Sequence, residues 1–265
     1  MPQKYSYGLD LAGYSSGKST LARAERVNDG FKIIVYRSHP FSKKLKGRDL
    51  IAQQFEYERQ FINDLSDPIY IDVPIDLQGL PTPLNYNFVW ELTKRPVDFA
   101  FNALPPLADR IGSPVSRMMN ALGDNIQYIL GTRIFETYPK ASLDNMLNEV
   151  QAYKGKTSTF LGGEWVGEGG LTPILQQLAV TSEEGTQLND DHVDAMICSL
   201  TGVVPEDWLL RGKRLLNAIR LSLVGKVRAE HHRYLAPTAP NGYVVIGNFS
   251  TSTIHITFEN KWKKS

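Results

Sequence analysis

Five acidic side chains, spread from residue 10 to residue 194, stand where carboxylates are either costly or purposeful. Asp10 lies near the end of Tyr5-Ser6-Tyr7-Gly8-Leu9-Asp10-Leu11. Asp72 closes the apolar run Ile69-Tyr70-Ile71-Asp72-Val73. Glu136 falls near the end of Arg133–Thr137, and Asp191 and Asp194 lie three apart in Asp190–Val204. A carboxylate among apolar neighbours is costly to bury unless a cation compensates it. Carboxylates gathered from distant strands and one helix start would form an oxygen-rich cage for Mg²⁺ or Mn²⁺, which take hard oxygen ligands. Two such ions about 4 Å apart clamp a phosphate, activate the attacking water and neutralise the leaving oxygen. Taken singly, each acid has an ordinary alternative. Strand-end aspartates cap turns, and Asp190 or Asp191 suits the positive end of a helix.

The cage needs strands to carry the first three acids and a helix to carry the last two. Residues 4–11 alternate with period two, as a strand does. Residues 19–27 and 31–37 are two more strands, and Asn28-Asp29-Gly30 between them is a hairpin turn. The opening is therefore a three-stranded antiparallel meander. Residues 48–65 carry Leu50, Ile51, Phe55, Phe61, Ile62 and Leu65 at helical spacing, and Asp67-Pro68 ends that helix. Residues 75–131, broken by prolines, read as a mostly helical insertion whose clearest helix spans 114–130. A helix follows over 141–151, then a Gly-rich loop at 162–170 and a helix starting near Pro173. Asp190–Val204 is a helix with a dense apolar face, a longer helix covers 206–223, and Tyr243–Ile246 is a late strand. The order predicts an α/β fold with a mixed central sheet, helices on both faces and a single domain over 1–265.

Composition sets outer limits. The 265 residues are 42% hydrophobic and 22% charged, ordinary for a globular chain, and the net charge of +1 gives no global attraction to nucleic acid. The one cysteine, Cys198, excludes an internal disulfide framework and reads as a core residue. No apolar stretch approaches the roughly 18 residues of a membrane span, and the N-terminus lacks a signal peptide's apolar core, so a cytoplasmic protein is expected.

Five short motifs carry a resemblance. Gly8-Leu9-Asp10-Leu11-Ala12, Ile71-Asp72-Val73-Pro74, Phe135-Glu136-Thr137-Tyr138-Pro139, Tyr153-Lys154 and Asp191-His192-Val193-Asp194-Ala195 occur in this order. The chain resembles, over about residues 5–246, a family of predicted nucleases of otherwise unknown function in the ribonuclease-H-like superfamily. Asp-x-x-Asp-Ala also resembles the final helix of the Holliday-junction resolvases of that superfamily. The resemblance implies a ribonuclease-H-like fold and a metal-dependent phosphodiesterase acting on DNA or RNA. It implies Asp10, Asp72, Glu136 and Asp194 as ligands, with Asp191 as an extra one. The tail 247–265 has no counterpart in it, and Arg95-Pro96-Val97-Asp98 resembles a family Arg–Asp pair. Arg95 is expected either to hold a phosphate or to form an internal salt bridge.

Other chemistry competes. Ala12-Gly13-Tyr14-Ser15-Ser16-Gly17-Lys18-Ser19 is nearly a phosphate loop, with Ala12 in place of its first glycine. It would make the protein a nucleotide-binding ATPase or a kinase-like protein using Lys18. A phosphate loop must open a helix, however, and here a turn and a strand follow closely. A catalytically inactive nucleic-acid-binding module is the third reading. Lys43, Lys44, Lys46 and Arg48, and the basic residues from Arg211 to Arg233, would either track a nucleic-acid backbone or simply be solvated. Lys154 would steady a phosphate or the attacking water, or pair with an acid.

Overall fold

Alternation along the first strand divides the protein. In a computed structural model, which describes residues 4–11, 19–36, 47–75, 95–104, 109–123, 126–224, 242–250 and 252–259, β1 spans Tyr5–Asp10. Tyr7, Leu9 and Leu11 join one apolar cluster, while Ser6 and Gly8 turn to the opposite face. That opposite face also carries Asp10, by the same period of two.

β2 (Thr20–Val27) and β3 (Gly30–Tyr36) complete the antiparallel meander through the Asn28-Asp29 turn. α1 (Gly47–Asp64) follows, then β4 (Ile69–Ile71). Next come α2 (Pro96–Ala100), α3 (Asp109–Leu122) and α4 (Ile126–Ile129), then β5 (Ile134–Glu136) and α5 (Pro139–Met146). β6 (Thr157–Leu161), β7 (Glu164–Gly167), α6 (Leu171–Gln177), β8 (Val180–Thr181) and β9 (Gln187–Asn189) lead into α7 (Asp190–Thr201). β10 (Leu209–Leu210), α8 (Gly212–Leu223), β11 (Val245–Ile246) and β12 (Thr253–Glu259) close the chain.

The main sheet has seven strands in the order β5-β4-β1-β2-β3-β12-β8. β1, β4 and β5 are mutually parallel, as are β3, β12 and β8, so the sheet is mixed, as expected. α1 and α3 cover one face, with Phe61, Ile62, Val115 and Met118 packed on Tyr7, Leu9 and Ile34. α7 and α6 lie on the other, over Ala22, Ala24, Ile33 and Val35. Residues Val193 to Thr201 of α7 are all buried, so this helix is central rather than amphipathic. It comes within overlap distance of β1: a Cβ on Gly8 would stand 2.2 Å from the Ala195 carbonyl oxygen and 2.2 Å from the Ser199 nitrogen. Only glycine permits that approach.

Several expectations are corrected. The helix expected over 114–130 is two, because Gly123 at φ 55° leaves the helical region after Leu122. α5 stops at Met146 rather than 151, where the Leu147 backbone turns extended (φ −116°, ψ 153°). The expected loop at 162–170 contains the Gly162-Gly163 turn of the β6–β7 hairpin, which with β9 forms a second sheet. The helix expected from 206 begins at Gly212, because Leu209 and Leu210 first pair with Ile246 and Val245. The tail, to which no role was carried over, supplies β12, paired along seven residues with β3. Lys43, Lys44 and Lys46, the Lys18 loop and the basic residues from Lys226 to Arg233 lie outside the described residues.

Candidate metal centre

Two parallel strand ends and one helix converge at a single edge of the sheet. Asp10 ends β1, Asp72 follows β4 directly, and Asp194 occupies the second turn of α7. Each offers one carboxylate oxygen, and the three oxygens lie within 4.8 Å of one another. The register explains this. β1 and β4 pair in parallel through Leu9 and Ile71, and the Asp72 N–H continues the ladder by donating to the Leu9 carbonyl at 3.1 Å. The α7 helix is pinned on the same face by Ser6, whose hydroxyl donates to the Ser199 carbonyl.

Asp194 is fully buried and Asp10 and Asp72 are half-buried. Tyr153 donates its hydroxyl to Asp194 Oδ1 at 2.8 Å, and Lys154 Nζ pairs with Asp194 Oδ2. Both donors come from the extended chain after α5. The Asp190 side chain holds the turn that follows them by accepting the Gly155 N–H at 3.0 Å. The cap of α7 is not Asp190 or Asp191 but Asn189, whose side chain accepts the His192 N–H at 2.9 Å.

One lysine does not balance three carboxylates. Burial, then the charges of Asp194 and Asp72, push the Asp10 carboxyl well above the usual carboxylate range, against the opposing pull of Lys154. Burial and Asp194 raise Asp72 from its ordinary 3.8 to about 8. Burial also raises Asp194, although Lys154 and Tyr153 hold it back. Burial would lower Lys154, but Asp194, Asp10 and Asp72 outweigh it and keep the amine protonated. A site with surplus negative charge and oxygen-only donors fits a hard divalent cation.

The remaining expected site residues divide. Asp191 is half-buried in the first turn of α7 and acts on Asp10 through its charge, but lies outside the converging set. Glu136 ends β5 and borders the same cleft, yet both its oxygens are engaged. Arg95 donates to Oε1 at 2.6 Å and to Oε2 at 2.8 Å, and the Ile75 N–H donates to Oε2 at 3.1 Å. Arg95, 1% exposed, also donates to both oxygens of Asp98, at 2.8 and 3.0 Å. Of its two expected roles, the internal salt bridge is the one observed. The cleft encloses about 270 Å³ and is lined by Asp10, Asp72, Glu136, Thr137 and Lys154 among others.

Thr137 carried no expected role. The residue lines this cleft, and its hydroxyl is buried and makes no hydrogen bond among the described residues. The only sequence signal for it was its place after Glu136 in a quoted motif. The phosphate-loop reading meets a local obstacle: Ser19 is followed by strand β2, and its hydroxyl donates to Glu58 at 2.6 Å in a buried cluster with Gln54 and Arg117. Among the described residues no helix is long and apolar enough to cross a membrane. Compared with models of known families, with curated proteins and with solved structures, the chain matches none.

Proposed function

We propose that the protein is a divalent-metal-dependent nuclease of ribonuclease-H-like architecture, hydrolysing phosphodiester bonds in DNA or RNA. The observation that carries this reading is the convergence of Asp10, Asp72 and Asp194 within 4.8 Å at one sheet edge. The order β3-β2-β1-β4-β5 within the larger sheet, with a helix crossing between β3 and β4, supports the architectural part. It is the arrangement that the motif resemblance leads one to expect.

Asp10, Asp72 and Asp194 would hold Mg²⁺ or Mn²⁺. A cation there supplies Lewis-acid charge for a phosphoryl oxygen and acidifies the attacking water. The chain's own residues do the rest. Tyr153 and Lys154 fix the Asp194 carboxylate in one orientation. The Lys154 side chain, 62% exposed, presents its ammonium at the mouth of the site, where an anionic backbone would arrive.

The test is cleavage of end-labelled single- and double-stranded DNA and RNA with Mg²⁺ or Mn²⁺. Asp72→Asn should reduce the rate at least about a hundredfold, the scale of losing transition-state charge stabilisation. Cleavage should persist in Lys18→Ala. Metal-dependent cleavage that survives Asp72→Asn unchanged would overturn the reading, and ATP binding that depends on Lys18 would favour the nucleotide-binding alternative.

A further inference from the structure

The site carries a lysine on its deepest carboxylate, and the neighbouring glutamate is already paired with an arginine. From this we infer that the centre takes one divalent cation per chain, with Lys154 as the built-in second positive charge. This rests on the metal-centre reading above and adds its stoichiometry and the role of the lysine.

The geometry comes first. Oxygens on opposite sides of one Mg²⁺, Mn²⁺ or Ca²⁺ stand about 4–5 Å apart, given metal–oxygen distances of about 2.0–2.6 Å. Asp10, Asp72 and Asp194 converge within 4.8 Å, so a single ion fills the set. A second ion about 4 Å away needs a carboxylate bridging both ions and further oxygens of its own.

The nearest remaining acid on the β5 side does not provide them. Glu136 gives both oxygens to Arg95 and the Ile75 N–H, and Arg95 is itself anchored by Asp98. Releasing Glu136 would leave a guanidinium that is 1% exposed with Asp98 as its one remaining carboxylate among the described residues, and breaking a buried ion pair is unfavourable. Asp191 lies outside the converging oxygens, and Asp194 is not free to bridge. Asp194 is the deepest of the three acids, and its two oxygens already accept from Tyr153 and Lys154. Lys154 Nζ therefore stands where a second cation would share that carboxylate.

The charges agree. With all three carboxyls ionised the acids would carry −3 and Lys154 +1, leaving −2, which one divalent cation would neutralise. An observation independent of the acids points to a bound oxygen ligand in the same cleft. Thr137 lines that cleft, its buried hydroxyl has no partner among the described residues, and such a group ordinarily finds one.

The test is a Mn²⁺ titration of the full-length protein by calorimetry and electron paramagnetic resonance. The expected wild-type result is one Mn²⁺ per chain with an uncoupled spectrum. Lys154→Met removes a like charge close to the ion. It should tighten Mn²⁺ binding by at least about tenfold, as expected for charges a few ångströms apart at a protein surface, or admit a second ion. Lys154→Arg should keep a stoichiometry of one with little change in affinity. Lys154 is 62% exposed, so these variants should fold, and a thermal melt checks it.

Two spin-coupled ions in the wild type would overturn the proposal while leaving a metal-dependent nuclease standing. Unchanged Mn²⁺ affinity and stoichiometry in Lys154→Met would also overturn it. No Mn²⁺ bound at all would remove both the proposal and the reading beneath it. One ion that responds to Lys154→Met, with no cleavage of any nucleic acid, would support the proposal and remove the nuclease.

Discussion

Two acidic clusters sit side by side at the ends of β1, β4 and β5, and they are built on opposite principles. In the first, Asp98 and Glu136 close on one buried arginine, and every oxygen has a donor. In the second, three aspartates meet beside a partly exposed lysine that pairs with Asp194. The paired cluster is a fastener. It ties the start of α2 to the end of β5 and, through the Ile75 N–H, holds the chain just beyond Asp72. The second cluster is costly in isolation, since burial raises all three carboxyls and neighbouring carboxylates raise Asp10 and Asp72 further. Like charges are left partly uncompensated in one cluster and are fully compensated in the other.

The comparison breaks most severely at Arg95. Arg95→Met would leave Asp98 and Glu136 buried without their cation, and the expected loss is about 3–5 kcal/mol in urea unfolding. A loss below about 1 kcal/mol would show that the fastener is not one.

Gly8→Ala attacks the other cluster through its scaffold. The new methyl would meet backbone atoms of α7 at 2.2 Å, so α7 must move away from β1 and carry Asp194 away from Asp10. We expect destabilisation of about 1–3 kcal/mol, typical of overpacking, together with loss of Mn²⁺ affinity. Wild-type affinity in the folded variant would show that the helix contact does not set the site.

The pH dependence sharpens the contrast. Asp72 is raised in the folded protein to about 8 from 3.8, so the native state holds its proton more tightly than the unfolded chain. The resulting stabilisation is complete below pH 3.8 and is lost as pH rises to about 8. Metal-free protein should therefore lose stability across that window, and Asp10→Asn, by removing a second carboxyl that folding raises, should flatten the slope. Mn²⁺ competes with the same proton and should bind more tightly as pH rises through about 8. Denaturant melts at several pH values, with and without metal, read both effects. A flat metal-free profile would contradict the surplus of charge.

The smallest effect is expected at Tyr153. Tyr153→Phe deletes one donor to Asp194 and should cost about 1–2 kcal/mol in the metal-free protein, while leaving the Mn²⁺ stoichiometry unchanged by calorimetry.

Much of this was readable from residue order. The β2–β3 hairpin followed from Asn28-Asp29-Gly30, α1 from the spacing of Leu50 to Leu65, and the core position of Cys198 from its apolar run. Three of the five candidate acids, Asp10, Asp72 and Asp194, do meet. The β6–β7 hairpin was hidden because its strands are short and face inward through few apolar residues, chiefly Phe160 and Trp165, around a glycine pair. β12 was hidden because a parallel partner leaves no turn signal nearby in the chain.

The sequence alone determined which residues are acidic, which alternate and which repeat with helical spacing, because those are local properties of the chain. It did not determine which carboxylates would be free. Glu136 and Asp72 look alike along the chain, each at the end of an apolar run leading to a proline. Only the folded structure sets Arg95, 41 residues distant, against Glu136 and leaves Asp72 facing Asp10 and Asp194. Compensation of charge depends on distances in space, and those exist only once the strands and α7 have packed.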